Sequence, residues 1–216
     1  MEERDYAVEN LKEKRMEKAV AVSAGMFLKQ GIDSVKMTDI AEATGVGVAT
    51  LYRYFGTKTG IAIAAMTYLW NELNAMVSGV FESDSFRRKN GMQQLTELMR
   101  VFLVLYTSHG DFMKLLGEFD LFLLQEDIPK EDLADYEKSV INFYPVFETA
   151  YKKGVADGTV REVENFPLFY LTYAHAFMEL NKKLLRGEVL ASDDFSHGER
   201  ELETMIETAV YFFEKR

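Results

Sequence analysis

Apolar residues recur three or four positions apart along nearly the whole chain, and this spacing constrains the fold more than any other feature. The first stretch of it, residues 12–30, places four such residues on one helical face: Met16, Val20, Ala24 and Phe27. Gly31 follows as a helix stop. The 216 residues contain only three prolines and no extended alternating pattern that would predict strands. We therefore predict an all-α fold.

Turn residues divide this pattern into successive helices. Two short ones are expected over about 38–45, with Thr38 as N-cap, and 48–55, followed by a long helix that Thr57 caps and that ends near residue 81. After a polar loop over 82–91, helices are predicted at about 92–108, 111–126, 130–156, 167–186 and 198–215. Pro145 should kink the helix over 130–156. We predict two domains, residues 1–60 with an N-terminal extension over 1–11, and residues 61–216.

The distribution of charge separates the two ends of the chain. The net charge is −10, which by itself argues against nucleic acid as a partner. Residues 12–60, however, carry eight basic side chains against five acidic ones, so the acidic excess lies elsewhere. The chain has no cysteine, no apolar stretch long enough for a membrane span and no apolar leader at its start. We expect a cytoplasmic protein with no membrane partner.

Three small or apolar residues have the spacing of a helix-turn-helix. Ala41 is small where two helices would cross, Gly45 can adopt the positive φ of the turn, and Leu51 can anchor the second helix to the core. These residue types are common, and the triplet alone is a weak signal. In such a motif the outer face of the second helix enters the DNA major groove.

The surrounding segment strengthens that interpretation. Residues 38–58, TDIAEATGVGVATLYRYFGTK, resemble the signature of the TetR (tetracycline-repressor-like) family, and the similarity extends back through residues 27–31. The resemblance implies a three-helix DNA-binding unit and an all-helical regulatory body. It also implies a homodimer that binds a palindromic operator, as a repressor released by a small-molecule effector.

The resemblance also implies which residues meet DNA. Thr38 and Lys58 match phosphate-contacting positions, Tyr52 and Tyr54 match an aromatic pair that meets the DNA backbone, and Arg53 is suited to read guanine. Gly47 stands where the family often has Ser or Thr. The alternatives are that either tyrosine packs in the core and that Arg53 contacts phosphate only. The predicted set is Thr38, Gly47, Val48, Ala49, Thr50, Tyr52, Arg53, Tyr54 and Lys58.

The remainder of the chain is rich in aromatic residues and methionine, with 16 Phe, 11 Tyr and 11 Met in the whole sequence. An apolar pocket between helices is the usual form of a small-molecule site in such a body, so we predict a lipophilic effector. The alternative for each residue is ordinary core packing. The predicted lining is Trp70, Phe102, Tyr106, Phe112, Phe119, Phe143, Phe147 and Tyr173.

Three carboxylates flank these apolar stripes, namely Asp120, Glu148 and Glu179. One of them buried among aromatic rings would favour a cationic effector, whereas exposure at the surface would give it no such role. His175 and Glu179 are spaced to hold a metal if another helix supplied a third ligand, which the sequence does not indicate. We therefore predict neither a metal nor a cofactor.

For dimerisation, the resemblance implies an interface on the last two helices, whose apolar stripes suit a four-helix bundle. The predicted residues are Phe169, Tyr173, Leu180, Leu202, Ile206, Ala209 and Phe213. The alternative is that these stripes close the core of one subunit.

Two other functions compete with a DNA-binding regulator. An enzyme would need a nucleophile and base, a phosphate-binding glycine loop or metal-ligand spacing, and the sequence offers none of these, so we predict that the chain is not an enzyme. The second is a helical small-molecule-binding or interaction protein with a vestigial DNA-binding unit.

Overall fold

The computed structural model describes residues 2–126, 128–188 and 190–215, with side chains from residue 9 onward. Every regular element in these residues is helical, which confirms the predicted all-α fold. The helices are α1 (Glu2–Gln30), α2 (Met37–Thr44), α3 (Val48–Phe55), α4 (Lys58–Phe81), α5 (Asp84–Arg87), α6 (Gly91–Ser108), α7 (Gly110–Gln125), a 3-10 turn (Lys130–Leu133), α8 (Ala134–Ser139), α9 (Tyr144–Asp157), α10 (Phe166–Arg186) and α11 (Gly198–Phe213).

The turn between α2 and α3 has the predicted glycine geometry. Gly45 has a φ of +71°, a conformation that L side chains rarely adopt, and its N–H donates to the carbonyl of Ala41 at 2.9 Å. The Lys18 ammonium, from α1, donates to the carbonyl of Thr44 at 2.7 Å. A cation at a helix C-terminus both satisfies a free carbonyl and opposes the helix dipole. Two hydrogen bonds therefore fix the start of the turn, at the end of α2.

The beginning of α2 differs from the prediction. Thr38 is the second residue of the helix, and the N-cap is Lys36, whose N–H donates to the Asp39 carboxylate at 2.9 Å. The carboxylate at the third helical position replaces the cap that Thr38 was expected to supply. In contrast, the predicted cap of α4 is confirmed, because the Thr57 hydroxyl accepts a hydrogen bond from the N–H of Gly60 at 3.1 Å.

The first helix is longer than predicted. It begins at Glu2 and not near residue 12, so the N-terminal extension predicted over 1–11 continues α1 from residue 2 onward, while Met1 lies outside the described residues. The residues before position 12 lack a broad apolar stripe, which is why the pattern did not extend the helix to them. Helices form on exposed surfaces without such a stripe when no breaker interrupts them.

The region around Pro145 corrects another prediction. Instead of one kinked helix over 130–156, the chain forms a 3-10 turn, α8 and a separate α9. Residues 140–143 are not helical, and Pro145 lies in the first turn of α9. Proline is well tolerated at that point because its missing N–H would have had no partner in the helix. Proline here begins a helix and does not bend one.

The polar run over 82–91, predicted as a loop, contains the short helix α5. The Ser83 hydroxyl caps it by accepting from the N–H of Phe86, whose side chain is buried. Asn90 and Gln93 then form a reciprocal capping box at the start of α6, with N–H to side-chain oxygen distances of 2.9 and 3.1 Å. The loop is thus a capped junction between helices.

By packing, the chain divides into two compact units. Unit 1 comprises residues 1–75 and 115–141, and unit 2 comprises residues 76–114 and 142–216. The largest fully buried side chains of unit 1 include Phe27, Leu51 and Phe119, and those of unit 2 include Leu98, Phe177 and Phe213. The predicted boundary at residue 60 concerns function and stays a prediction. Within the described residues, none of the helices has the length and apolar character that crossing a membrane requires.

Candidate functional site

Helix α3 presents one anchored side and one exposed side. Leu51 is completely buried, as predicted, and attaches the helix to the core of unit 1. Ala49, Tyr52 and Arg53 are exposed, with 48% of Tyr52 accessible. The helix thus has one side that faces the core and one side that faces solvent, which is the arrangement of a recognition helix.

A glycine lies at each end of α3, Gly47 before it and Gly56 after it. Gly47 is exposed and is the N-cap, but it has no side chain to bond the free N–H groups of the first turn. Its carbonyl accepts from the N–H groups of Thr50 and Leu51 at 2.8 and 3.1 Å. Val48 and Thr50 are half-buried. The uncapped N–H groups at this end remain available to an anion.

The two tyrosines have different surroundings. Tyr52 is exposed, whereas Tyr54 is half-buried and its ring lies edge-on to Phe55 at 6.3 Å between centroids. The guanidinium of Arg53 lies 5.5 Å from the centre of the Tyr54 ring. Tyr52 is thus free to meet another molecule, and Tyr54 combines partial packing with a contact to Arg53.

Thr38 and Lys58 flank α3 in sequence. Thr38 is exposed at the start of α2, and its hydroxyl lies 3.4 Å from an Asp39 carboxylate oxygen. Lys58 is the first residue of α4, and its ammonium donates to the carbonyl of Asp33 at 3.1 Å. A phosphate at Lys58 would compete with a single exposed carbonyl, so this hydrogen bond does not prevent the predicted contact.

A solvent-open groove of about 640 Å³ adjoins the end of α3 and was not anticipated from the sequence. It is lined by Leu11, Lys12, Arg15, Met16, Arg53 and Tyr54. Lys12 and Arg15 entered the sequence analysis only as part of a charge count. The signal that could have found them is their i, i+3 spacing, which puts both cations on one face of α1.

Unit 2 contains an aromatic cavity between α6, α9, α10 and α11. Three residues of the predicted pocket lie in its wall, Phe102, Phe147 and Tyr173, together with Tyr170 and Phe177. Phe102 and Phe177 stack with their ring centres 4.8 Å apart. Only about 10 Å³ is left for the centre of a water molecule, which is room for about one water. The cavity is closed in this conformation.

The other five residues predicted for the pocket lie elsewhere. Tyr106, Phe112 and Phe143 belong to unit 2 but do not line the cavity, although the Phe143 ring lies 6.3 Å from that of Phe102. Trp70 and Phe119 belong to unit 1, where both contact Tyr136. The indole N–H of Trp70 donates to the Tyr136 hydroxyl at 3.2 Å, and the Phe119 and Tyr136 rings lie 5.1 Å apart.

None of the three flanking carboxylates lines the aromatic cavity. Glu148 accepts a hydrogen bond from Tyr144 and pairs with Lys152 at 3.0 Å, and the hydrogen bond from Lys152 is the main cause of its lowered pKa. Glu179 pairs with Lys182, and 71% of its side chain is exposed. Asp120 is half-buried in unit 1, where its charge contributes to raising the pKa of Tyr136.

Within the described residues, the geometry does not support a metal site at His175 and Glu179. His175 is exposed, and Glu179 is already paired with Lys182. The described part of the chain contains no group of three His, Cys, Asp or Glu side chains placed to hold a metal ion.

The predicted dimer interface requires a correction. Leu202, Ile206, Ala209 and Phe213 of α11 are at most 4% exposed, because this stripe packs inside unit 2. Phe169, Tyr173 and Leu180 of α10 are half-buried. Buried residues cannot meet a second subunit, so the α11 stripe closes the core of one chain, which was the alternative interpretation. The exposed large apolar residues of α10 and α11 are Leu168, Leu171, Tyr211 and Phe212.

Comparison with known proteins gives matches at two levels. Residues 19–65 match the family described as bacterial regulatory proteins, tetR family. No curated protein matches the chain in sequence. Among solved structures, a TetR-family transcriptional regulator from a Rhodococcus species is 18% identical, with a TM-score of 0.65 over 91% of this chain and 99% of the other.

Two further solved structures contain ligands. The transcriptional regulator FadR from Bacillus subtilis, in complex with stearoyl-CoA, is 14% identical with a TM-score of 0.60, over 92% of this chain and 99% of FadR. A transcriptional regulator from Saccharomonospora viridis, in complex with choline, is 16% identical with a TM-score of 0.63, over 96% of this chain and 100% of the other. At these identities the likeness concerns the fold.

Proposed function

From the match of residues 19–65 to the tetR family of bacterial regulatory proteins, we propose that the chain is a ligand-responsive repressor of that family. It binds a palindromic DNA operator as a homodimer and is released by a small lipophilic effector. The observation that carries the proposal is the two-sided character of α3, in which Leu51 is fully buried while Ala49, Tyr52 and Arg53 face solvent. An outer face this exposed is free to enter a major groove.

The residues around α3 divide into two roles. Thr38, Tyr52, Tyr54 and Lys58 supply hydroxyl groups and an ammonium for backbone phosphates, which fix the position of the helix on DNA. The outer face itself, with Val48, Ala49, Thr50 and Arg53, meets the bases, where an arginine pairs with guanine and small apolar groups contact thymine methyl groups. Gly47 brings the backbone N–H groups of the first turn close to a phosphate.

A second copy of the chain is the partner that symmetric operators require. The interface is placed on the faces of α10 and α11 that remain exposed. Leu168 is 60% accessible, Leu171 49% and Tyr211 59%. Exposed side chains of this size on neighbouring helices are a typical basis for an association surface. The proposed interface thus lies on the same two helices as predicted, but on their exposed faces and not on the buried stripes.

The aromatic cavity of unit 2 is the proposed effector site. Its walls are apolar, and the related folds bind stearoyl-CoA and choline, so an apolar or amphiphilic effector suits it. Because the cavity holds about one water, effector binding must move its aromatic side chains apart. The effector therefore binds the conformation in which these side chains have moved apart better than the closed one. A ligand can change DNA affinity only if it prefers one conformation in this way.

Hydrogen bonds within unit 1 connect α7 with the DNA-binding helices. The Glu118 carboxylate accepts from the N–H of Ile32, after α1, at 3.4 Å, and Glu126 accepts from the Thr59 hydroxyl, at the start of α4, at 3.1 Å. A displacement of α7 would act on both points. These contacts are a route by which a movement of α7 would reach the segments that flank α2 and α3.

Selection of bound fragments from a random duplex library at low salt tests this function. The wild-type protein is expected to yield one palindromic motif, Tyr52→Ala to lose it, and Arg53→Ala to change it at one symmetric position. Tyr68→Ala, which removes another exposed tyrosine of unit 1, is the matched control and should keep the motif. Failure of the wild-type protein to select any motif would favour the alternative, a helical binding protein with a vestigial DNA-binding unit.

A further inference from the structure

The groove beside α3 is strongly cationic. Three of its six lining residues are basic, Lys12, Arg15 and Arg53, and none is acidic. Lys12 pairs with Glu9 at 3.1 Å, but both side chains are about half exposed and such surface pairs exchange easily. Within the described residues, no ion pair or hydrogen bond engages the Arg15 guanidinium. The groove therefore offers at least one uncommitted guanidinium to an anion.

The rest of the groove is apolar. Leu11 is 56% exposed, and Met16 and Tyr54 are half-buried. A bare inorganic anion would gain nothing from these side chains. The backbone of DNA alternates charged phosphates with deoxyribose rings that have apolar faces, so it matches both halves of the lining.

We propose that this groove, the α1–α3 groove, binds one phosphate and an adjoining deoxyribose of the operator backbone. Lys12 and Arg15 contact the phosphate, and Leu11 packs against the sugar. Arg53 lies at the rim, between the groove and the base-reading face of α3. The inference rests on the proposed function, because it adds residues of α1 to the DNA-binding surface that the recognition helix defines.

Charge-neutralising variants in α1 test this role. Arg15→Gln removes a cation from the groove, and Lys14→Gln removes another exposed cation at the preceding position of α1, which does not line the groove. Binding to the duplex selected by the wild-type protein is measured by fluorescence anisotropy from 0.05 to 0.3 M salt. For an Arg15→Gln dimer the slope of log affinity against log salt should become shallower by up to about 1.8, since each phosphate contact contributes about 0.9 and Lys12 still faces the same phosphate.

The sequence specificity of these variants should be that of the wild-type protein. Arg15→Gln should weaken binding about tenfold or more at 0.1 M salt while selecting the same motif as the wild-type protein, because phosphate contacts carry no base information. Lys14→Gln should stay within about twofold of wild type. Thermal unfolding of both variants verifies that the exposed substitutions leave the fold intact.

Replacement of single phosphates by neutral methylphosphonates identifies which phosphate of the operator the groove binds. Single methylphosphonate substitutions along the duplex should include one that weakens binding of the wild-type protein clearly more than binding of Arg15→Gln. Equal behaviour of Arg15→Gln and Lys14→Gln, with a motif still selected by the wild-type protein, would overturn the groove assignment alone. Absence of any wild-type motif would overturn the groove assignment together with the proposed function.

Discussion

Tyr136 shows how a single side chain can report on the packing of unit 1. Burial raises the pKa of its phenol to about 12, the hydrogen bond from Trp70 opposes this shift, and the charge of Asp120 adds to it. In an unfolded chain a tyrosine ionises near pH 10. Between about pH 10 and 12 the unfolded chain therefore releases a proton that the folded chain retains, so stability falls as the pH rises through this window.

Tyr136→Phe should remove that part of the pH dependence. Urea unfolding of the wild-type protein is expected to lose about 1 kcal/mol more than the variant between pH 9 and pH 11. Tyr52→Phe, which alters an exposed ring, is the control and should follow the wild-type protein. If Tyr136→Phe and wild type lose stability in parallel, the Tyr136 phenol is not the origin of the effect.

Single residues also show which parts of the candidate site the sequence could predict. Leu51 and Gly45 were predictable because burial and a positive φ impose local requirements that few residue types meet. Arg15 and Tyr136 were not, since their surroundings are set by residues distant in the chain. The same holds for Leu202 and Ile206, whose helical stripe indicates an apolar partner without saying whether that partner is the same chain or another.

At the scale of elements, the crossing of α6 and α9 depends on glycine. A Cβ added to Gly91 would overlap the backbone of Gly154, and one added to Gly154 would overlap the side chain of Val160. The Gly91 N–H also donates to the Asp157 carboxylate at 2.8 Å. The two helices can approach this closely only because neither carries a side chain at the contact.

Gly91→Ala should therefore destabilise the protein by about 1–3 kcal/mol, the usual range for forced overpacking. Gly25→Ala is the matched control, because Gly25 lies within α1 and a Cβ there meets nothing within 4 Å. That substitution should stabilise the protein by about 0.5–1 kcal/mol through helix propensity. Denaturant unfolding of both variants decides the point, and effects of the same sign would contradict this account of the helix crossing.

Helix positions were largely predictable from the sequence, and helix junctions were not. The spacing of apolar residues gave α6, α7, α10 and α11 to within one or two residues. It failed at Pro145, because a proline in an apolar pattern is compatible with either a kink or a new helix, and only the packing of neighbouring helices selects between them. The Ser83 and Asn90 caps show the same limitation within a segment predicted as loop.

At the scale of the whole molecule, an acidic chain is expected to bind a polyanion through a small region of opposite charge. The net charge is −10, yet the groove beside α3 has three cations and no acidic lining residue. Such an arrangement makes DNA binding sensitive to salt, since the few phosphate contacts must overcome a general repulsion. DNA binding therefore depends on where the charge lies in the molecule and not on its net charge.

The salt dependence of wild-type binding to its selected duplex tests the central claim most directly. Anisotropy titrations from 0.05 to 0.3 M salt should show two chains per palindrome and an affinity that falls steeply, with a log–log slope of about −5 or steeper, as at least three phosphate contacts per subunit would give. A nearly flat dependence, or no saturable binding at the lowest salt, would contradict the assignment of α3 and its surroundings as a DNA-binding surface.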